Sequence, residues 1–336
     1  MRPFEYAAPA TKEQAAALLG SRWEDAAVLA GGTDLMSQMK DNLAAPRRVV
    51  DIKAIKELTG IQYLALTAGS QGTAVGLRVG ALVTLEELRE HPQVRSAYPG
   101  IVQAAEGITS AQMRNRGTVG GDLVQRPRCW YFRNGFGLVK PDEPGRPADM
   151  EDDSRYFSIF GNDGPAAFVN PSSLAPLLIA LGARVKLYSA SSAREVPLEQ
   201  FFMIPKTETD RENVLRPNEI LTEIMIPAGS WKTAVYEVRQ KEGLDWPLAA
   251  AAAALEMNGS TVQTARVVLG HVAPIPWRSP EAEQALAGKS ATEATAMAAS
   301  QAAVQKAKPF SQNGYKVQLA QVAVKRALLR AVEGGA

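Results

Sequence analysis

Apolar and polar positions along the first 60 residues change from strand-like to helix-like spacing and back. The apolar run at 26–30 predicts a strand, and 35–43 predicts a helix that Thr33 or Asp34 is placed to cap. Residues 47–52 predict a second strand. A strand, a glycine turn, a helix and a strand in this order predict a small βαβ unit.

Strands and helices alternate along the rest of the chain. The predicted strands are 63–66, 74–80, 184–188, 220–227, 234–240 and 262–269, and the predicted helices are 101–111, 281–286, 292–307 and 317–332. Residues 248–255 include six consecutive alanines, which suit a helix by propensity or a strand whose small side chains let a helix pack closely. The linker at 227–230 predicts the boundary of a last domain.

Composition excludes several classes of protein. The 37 basic and 35 acidic residues give a net charge of +2, which favours neither nucleic acid nor an anionic membrane as the main partner. No run of 18 apolar residues is present, so we expect no membrane span. The N-terminus lacks a signal-peptide pattern, which predicts a cytoplasmic location unless the signal of a partner directs export to the periplasm.

Cysteine and histidine usage argues against a metal centre in this chain. The single cysteine, Cys129, excludes an internal disulfide and an iron–sulfur cluster held by this chain alone. His91 and His271 are far apart in sequence and have no metal-ligand spacing. The pattern contains no nucleophile–base constellation, so we expect no catalytic side chain and no metal.

Two glycine motifs carry the candidate chemistry: AGGTD at 30–34 and RGTVGGD at 116–122. Adjacent glycines let backbone N–H groups approach an anion, especially where a helix begins just after them. Two such turns indicate one elongated ligand with a diphosphate, gripped from two sides. The alternative for either pair alone is a tight turn or bulge. No Gly-x-Gly-x-x-Gly is present, so the Rossmann fingerprint is absent.

Residues 126–164 predict a long surface insertion that opens on the basic and aromatic run RPRCWYFR. This run could stack on a nucleobase, or it could pack against the core or a neighbouring subunit. Aromatic area combined with fixed charge is enriched at subunit contacts, so we expect the segment to face a partner.

Four motifs in a fixed order resemble the FAD-binding (medium) subunit of the molybdenum hydroxylases, the family of xanthine dehydrogenase, carbon monoxide dehydrogenase and aldehyde oxidoreductases. They are LAGGTDL at 29–35, QMRNRGTVGGD at 112–122, LRPNEIL at 215–221 and LGHVAPIPWR at 269–278. The resemblance covers nearly the whole chain. It implies an α+β fold, in which two α+β subdomains of the PCMH type bind FAD and a smaller α/β domain follows. The implied domains are 1–58, 59–229 with the insertion, and 230–336.

The resemblance also implies which residues contact FAD. The first turn would hold the diphosphate, the second would close the opposite side, and the remaining residues would approach the flavin ring and ribityl chain. The implied residues are Ala30, Gly31, Gly32, Thr33, Asp34, Leu35, Ile108, Thr109, Thr118, Gly120, Gly121, Asp122, Ser173, Leu221 and Glu237. Asp122 stands where many relatives have Asn, Ser173 where they often have Asp, and Glu237 where a Lys is common.

The implied function is electron transfer within a complex. Electrons would pass from a molybdenum cofactor on a large subunit, through [2Fe–2S] clusters on a small subunit, to FAD here and then to an external acceptor. A dimer of such heterotrimers is implied. Some relatives carry a four-cysteine [4Fe–4S] insertion, which the lone Cys129 rules out here. The alternatives are a flavin-free nucleotide-binding or scaffold subunit, and a self-sufficient FAD oxidoreductase.

Overall fold

The computed structural model describes residues 1–63, 75–139, 153–243 and 245–334. In these ranges the strands form three sheets, of three, five and four strands. Helices and strands alternate and the two larger sheets are antiparallel, which confirms the α+β class. Part of the predicted strands, 64–66 and 74, and part of the insertion, 140–152, lie outside the described residues.

The first sheet is parallel and contains the predicted βαβ unit. Its elements are β1 (Glu5–Ala7), α1 (Lys12–Ala17), β2 (Ala26–Leu29), α2 (Leu35–Lys40) and β3 (Arg48–Asp51), with strand order β1-β3-β2. Helix α2 ends three residues earlier than predicted, because Asn42 adopts a left-handed conformation with φ of 59°. Asp34 precedes α2 but makes no capping hydrogen bond with its side chain.

The second sheet is antiparallel, with strand order β4-β5-β8-β6-β7. After the 3-10 turn Lys56–Leu58, its elements in chain order are β4 (Ile61–Tyr63), β5 (Val75–Gly80), α3 (Leu85–Glu90), α4 (Pro92–Ala97), α5 (Pro99–Glu106), α6 (Ala111–Arg116), α7 (Val119–Val124), α8 (Trp130–Arg133), α9 (Ala175–Ala180), β6 (Arg184–Tyr188), β7 (Ala193–Pro197), α10 (Leu198–Phe201) and β8 (Ile220–Pro227).

The predicted helix at 101–111 is two helices, α5 and α6, separated by the loop 107–110. Ser110 begins α6 by accepting a hydrogen bond from the backbone N–H of Met113 at 3.3 Å, and the Arg114 guanidinium donates to the Ile108 carbonyl at 2.8 Å. These contacts hold the loop in a non-helical path, which the apolar pattern alone does not reveal.

The third sheet is antiparallel, with strand order β12-β11-β10-β9. Its strands are β9 (Lys232–Val238), β10 (Ala249–Asn258), β11 (Thr261–Gly270) and β12 (Trp277–Arg278), followed by α11 (Pro280–Leu286), α12 (Glu293–Ala303) and α13 (Tyr315–Glu333). The alanine run is therefore a strand. Ala252 and Ala254 pack in the core of the second sheet, whereas Ala249, Ala251 and Ala253 pack in the core formed with α11–α13.

Candidate functional site

A cavity of about 310 Å³ lies where the first glycine turn, α7 and the segment 211–221 meet. Ten of the fifteen predicted site residues line it: Ala30, Gly31, Gly32, Thr33, Asp34, Leu35, Thr118, Gly120, Gly121 and Leu221. Two motifs that lie nearly 90 residues apart in sequence therefore line the same cavity.

The first glycine turn leaves a row of backbone donors without protein acceptors. It connects β2 to α2, and Gly32 has φ of 75°, a conformation that favours glycine. Across the described part of the chain, the N–H groups of the five residues 31–35 donate to no protein atom, and all five residues line the cavity. Such a row of N–H groups can bind a diphosphate.

Gly31 is required by a contact between the two motifs rather than by a ligand. A Cβ on Gly31 would overlap the carbonyl oxygen of Arg116, and it would lie 3.3 Å from the Cα of Gly117. The first turn therefore packs directly against the start of the second motif. This contact brings α7 to the cavity.

The second glycine motif differs from the predicted anion-binding turn. Gly120 and Gly121 lie in the first turn of α7, and their N–H groups donate to Ala81 O at 2.9 Å and to Thr118 Oγ1 at 3.1 Å. The N–H of Asp122 donates to Thr118 O at 2.9 Å. The prediction of a second set of free amides is therefore wrong, because the helix and its cap use them.

Gly121 instead gives the cavity a wall without a side chain. A Cβ at this position would meet Thr118 Oγ1 at 2.9 Å, and no other described atom lies within 4 Å of it beyond its chain neighbours and its own helix backbone. A group that approaches α7 can come close to its backbone here. Gln125, four residues later on the same helical face, also lines the cavity.

The other five predicted residues lie outside the cavity lining: Ile108, Thr109, Asp122, Ser173 and Glu237. The Asp122 carboxylate accepts hydrogen bonds from the Ser172 hydroxyl and, at 3.2 Å, from the backbone N–H of Leu174. Burial raises the pKa of Asp122 to about 6. Asp122 therefore joins α7 to the segment before α9 instead of facing the first turn.

Glu237 and Arg239 form a buried ion pair at the end of β9. The Arg239 guanidinium donates to the Glu237 carboxylate and to the Gly107 carbonyl, so it also holds the loop that carries Ile108 and Thr109. Burial raises the pKa of Glu237 to about 7, and the charge of Arg239 opposes this rise. Ser173 is buried and interacts with Glu237 through its hydroxyl.

Two buried polar atoms of this ion pair have no hydrogen-bond partner among the described residues, Glu237 Oε1 and Arg239 Nε. Buried polar atoms without partners are rare in folded proteins. A ligand with polar atoms along one edge would satisfy them. The five unpartnered N–H groups suit the diphosphate of FAD, and the two atoms of the ion pair suit the polar edge of its flavin ring. The residues present therefore fit this cofactor.

The arginines of the run 126–133 bind carboxylates of their own chain, whereas the contact of this segment with a partner stays a prediction. Arg126 Nε donates to Glu212 Oε1 at 2.7 Å, and Arg133 Nη2 donates to Asp34 Oδ1 at 2.8 Å. Arg128 also lies 3.0 Å from Asp34 Oδ1. These side chains bind to the chain's own carboxylates, whereas Trp130 in the same run is 55% exposed.

The cavity lining also includes residues that are absent from the predicted set, among them Trp23, Arg126, Arg211 and Glu212. The Arg211 guanidinium lies over the Trp23 ring, 4.3 Å from its centroid. Helical spacing from Gly121 would have indicated Gln125 and, next to it, Arg126. Nothing in the local sequence around Trp23 or Glu212 indicates that they line the same cavity.

The sequence matches a known family along most of its length. Residues 2–229 match the family described as the FAD binding domain in molybdopterin dehydrogenase. The chain belongs to this family. Residues 234–331 of this family member also match the carbon monoxide dehydrogenase flavoprotein C-terminal domain.

Relatives of this FAD-binding subunit resemble it from end to end. It is 32% identical over 330 residues to the carbon monoxide dehydrogenase medium chain of Hydrogenophaga pseudoflava, covering 97% of this chain and 96% of the relative. It is 30% identical over 324 residues to the aldehyde oxidoreductase FAD-binding subunit PaoB of Escherichia coli strain K12, covering 95% of each.

The fold agrees with that of a solved relative. The FAD-binding subunit aligns with a structure of carbon monoxide dehydrogenase from Hydrogenophaga pseudoflava that lacks the Mo-pyranopterin moiety, with a TM-score of 0.74, 30% identity and 100% of both chains covered. This chain is therefore an oxidoreductase subunit of the molybdenum hydroxylase family, with FAD as its cofactor. No helix in the described ranges is long and apolar enough to cross a membrane.

Proposed function

We propose that this chain transfers electrons through FAD, from [2Fe–2S] clusters of a partner chain to an external acceptor. The observation that carries the proposal is the row of five unpartnered N–H groups at 31–35 in the wall of the cavity. An anionic cofactor with a diphosphate satisfies such a row, whereas an apolar substrate does not.

The residues present divide the work of holding FAD. The first turn would bind the diphosphate, while Thr118, Gly121 and Leu221 would form the wall beside it. The loop that carries Ile108 and Thr109 would lie toward the flavin ring. FAD supplies the redox chemistry when bound, so the chain supplies position, electrostatics and access for the acceptor.

The Glu237–Arg239 pair sets the charge beside that loop. When Glu237 is protonated, the guanidinium contributes one positive charge, and when Glu237 is ionised the two charges cancel. The resemblance places a Lys here, and we propose that Arg239, two residues after Glu237, supplies this positive charge, with Lys241 as the alternative. The protonation state of Glu237 near neutral pH therefore controls the local electrostatic potential.

We propose a complex with a large subunit that binds the molybdenum cofactor and a small [2Fe–2S] subunit, as a dimer of heterotrimers in the cytoplasm. The names "medium chain" and "FAD-binding subunit" of the relatives support partner subunits. Across the described residues, no group of three or more His, Cys, Asp or Glu could hold a metal ion, so metal centres would come from the partners. We propose domains at 1–58, 59–229 and 230–336.

The test is rapid-mixing spectroscopy on the natively purified complex. Carbon monoxide or an aldehyde, for which the relatives are named, should bleach the flavin absorbance near ~450 nm after the iron–sulfur bands. Removal of FAD should abolish reduction of an external acceptor while the clusters are still reduced. Flavin reduction in the isolated chain would instead support a self-sufficient oxidoreductase, and absence of flavin absorbance would support a scaffold subunit.

A further inference from the structure

Hydrogen-bond donors of the segment 126–133 converge on one carboxylate in the first glycine turn. Asp34 Oδ2 accepts from the backbone N–H of Arg126 at 2.8 Å, and Asp34 Oδ1 accepts from Arg133 Nη2 at 2.8 Å. Arg128 Nη1 lies 3.0 Å from Oδ1. Gln38, on α2 itself, donates to Oδ2 at 2.8 Å. These bonds explain why Asp34 does not cap α2.

The segment is itself fixed at several points, so it can act as a brace. Arg133 Nε donates to Pro127 O at 2.8 Å, and its Nη2 donates to Arg126 O at 2.9 Å. Arg126 Nε binds Glu212 in the cavity wall. The Arg128 guanidinium lies over the Trp246 ring, 4.8 Å from its centroid. The segment thus connects the first turn to residues that precede β8 and β10.

The guanidinium groups behind the turn offset the repulsion between Asp34 and an anion in front of it. Asp34 alone would repel a diphosphate bound at residues 31–35. Arg126, Arg128 and Arg133 face Asp34 and Glu212, and Arg128 also interacts with Asp122, so the positive charge of the three guanidinium groups offsets the negative charge of the carboxylates behind the turn. Their side chains are largely shielded from water, with 16 to 24% exposed, so salt screens this charge less than it would on the surface.

We propose that residues 126–133 position the Gly31–Leu35 turn for the FAD diphosphate by holding Asp34, with Arg133 as the main positioning residue. The proposal rests on the proposed function. It assigns the arginines of this run to the cofactor site rather than to a partner subunit. Arg133 acts through Asp34 and does not itself line the cavity.

The test uses Arg133→Gln in the chain purified with its partners, stripped of FAD and titrated with FAD by flavin fluorescence. Loss of the charge-assisted bond should raise the Kd roughly tenfold or more. The 31P NMR shifts of the bound diphosphate should change, while the visible spectrum, which reports the flavin ring, stays as in the wild type. Arg133→Lys keeps the charge and should restore part of the affinity.

Arg184→Gln is the matched control, since Arg184 lies on β6, pairs with the exposed Glu195 at 3.4 Å and does not line the cavity. It should bind FAD like the wild type. If Arg133→Gln fails to fold, Arg128→Gln removes the other guanidinium on Asp34 and should weaken FAD binding with the same 31P signature.

Two results would overturn the proposal. One is an Arg133→Gln complex with wild-type Kd and 31P shifts. The other is an Arg133→Gln chain that keeps its FAD affinity but loses its partner subunits, which would restore the partner-facing interpretation. A wild-type complex without flavin absorbance would instead overturn the proposed function, so the two failures are distinguishable.

Discussion

The glycines of the two motifs serve three different purposes at the residue scale. Gly31 allows backbone contact with Arg116, Gly32 adopts a positive φ, and Gly121 leaves open space at the cavity. A ligand explains the last of these, whereas packing and turn geometry explain the first two. Substitution of Gly121 is therefore the cleanest test of the cofactor site.

Gly121→Val should weaken FAD binding while the chain stays folded. The valine side chain would occupy the space beside α7, and outside the backbone of its own helix its Cβ would meet only the Thr118 hydroxyl, at 2.9 Å. We expect a Kd for FAD raised roughly tenfold or more, measured by flavin fluorescence.

Gly164→Val is the control for this prediction, because a Cβ at Gly164 meets nothing within 4 Å and Gly164 does not line the cavity. It should leave the Kd unchanged. Equal affinities of FAD for the Gly121→Val and wild-type chains would show that the diphosphate does not approach α7.

At pH values above 7, Glu237→Gln should raise the midpoint potential of the bound flavin. Burial raises the pKa of Glu237 to about 7, so at pH 8 the ionised carboxylate cancels the charge of Arg239. Glutamine leaves the positive charge uncancelled, which favours added electrons, by an amount on the order of tens of millivolts.

A spectroelectrochemical titration at pH 6 and pH 8 measures this effect. The difference between variant and wild type should be larger at pH 8 and shrink at pH 6, where the wild-type carboxyl is protonated. An equal difference at both pH values would show that the ionisation of Glu237 does not control the flavin potential.

At the scale of elements, α13 is attached to two distant loops by a buried lysine. Lys316 Nζ donates to His271 O at 2.9 Å and to Phe157 O at 3.1 Å. Lys316 is 1% exposed, and burial lowers its pKa to about 7. The helix therefore joins the β11–β12 connection to the insertion through a group that titrates near neutral pH.

This burial predicts that the free energy of unfolding rises with pH above 7. Between the folded pKa of about 7 and the ordinary value of 10.5, the unfolded chain binds more protons than the folded chain. The slope contributed by Lys316 therefore approaches about 1.4 kcal/mol per pH unit. Below pH 7 the lysine is charged in both states and contributes no slope.

Lys316→Met should remove this rise when urea unfolding is compared at pH 7, 8 and 9. Lys325→Met is the control on the same helix, since Lys325 is partly exposed and pairs with Glu293 at 2.7 Å. If the free energy of unfolding rises with pH by the same amount in Lys316→Met and in the wild type, a group other than Lys316 causes the rise.

At the scale of the whole molecule, residues of the first two sheets and the segments beside them line the cavity, and the described residues contain no group of three or more His, Cys, Asp or Glu that could hold a metal ion. Cys129 is free, and burial raises the pKa of its thiol, which disfavours the thiolate that binds iron. FAD is the cofactor of this chain, and the metals of the complex belong to the partner subunits that we propose.

Cys129→Ser should leave the iron content and the flavin content of the purified complex unchanged. A single thiol cannot hold a cluster that needs four ligands. Iron analysis by mass spectrometry and the flavin absorbance measure the two contents. A loss of iron in the variant would show that Cys129 shares a cluster with ligands from a neighbouring chain.

The sequence by itself determined the βαβ unit, the two glycine motifs and the family. Its single cysteine also excluded an internal disulfide and a four-cysteine cluster held by this chain alone. These depend on local spacing and residue type, which a linear pattern preserves. It also placed ten predicted residues at one cavity, because the family motifs carry long-range information that periodicity lacks. The FAD contacts of the individual residues remain predictions.

Only the tertiary structure decided which groups are free to bind. The N–H groups of the second glycine motif donate to acceptors in Ala81 and in Thr118, which caps α7. The alanine run is a strand because two cores pack on its opposite faces. The arginines of 126–133 turned inward because buried carboxylates from distant segments meet them there. Hydrogen-bond partners and burial depend on contacts between residues far apart in the chain, and no local pattern specifies them.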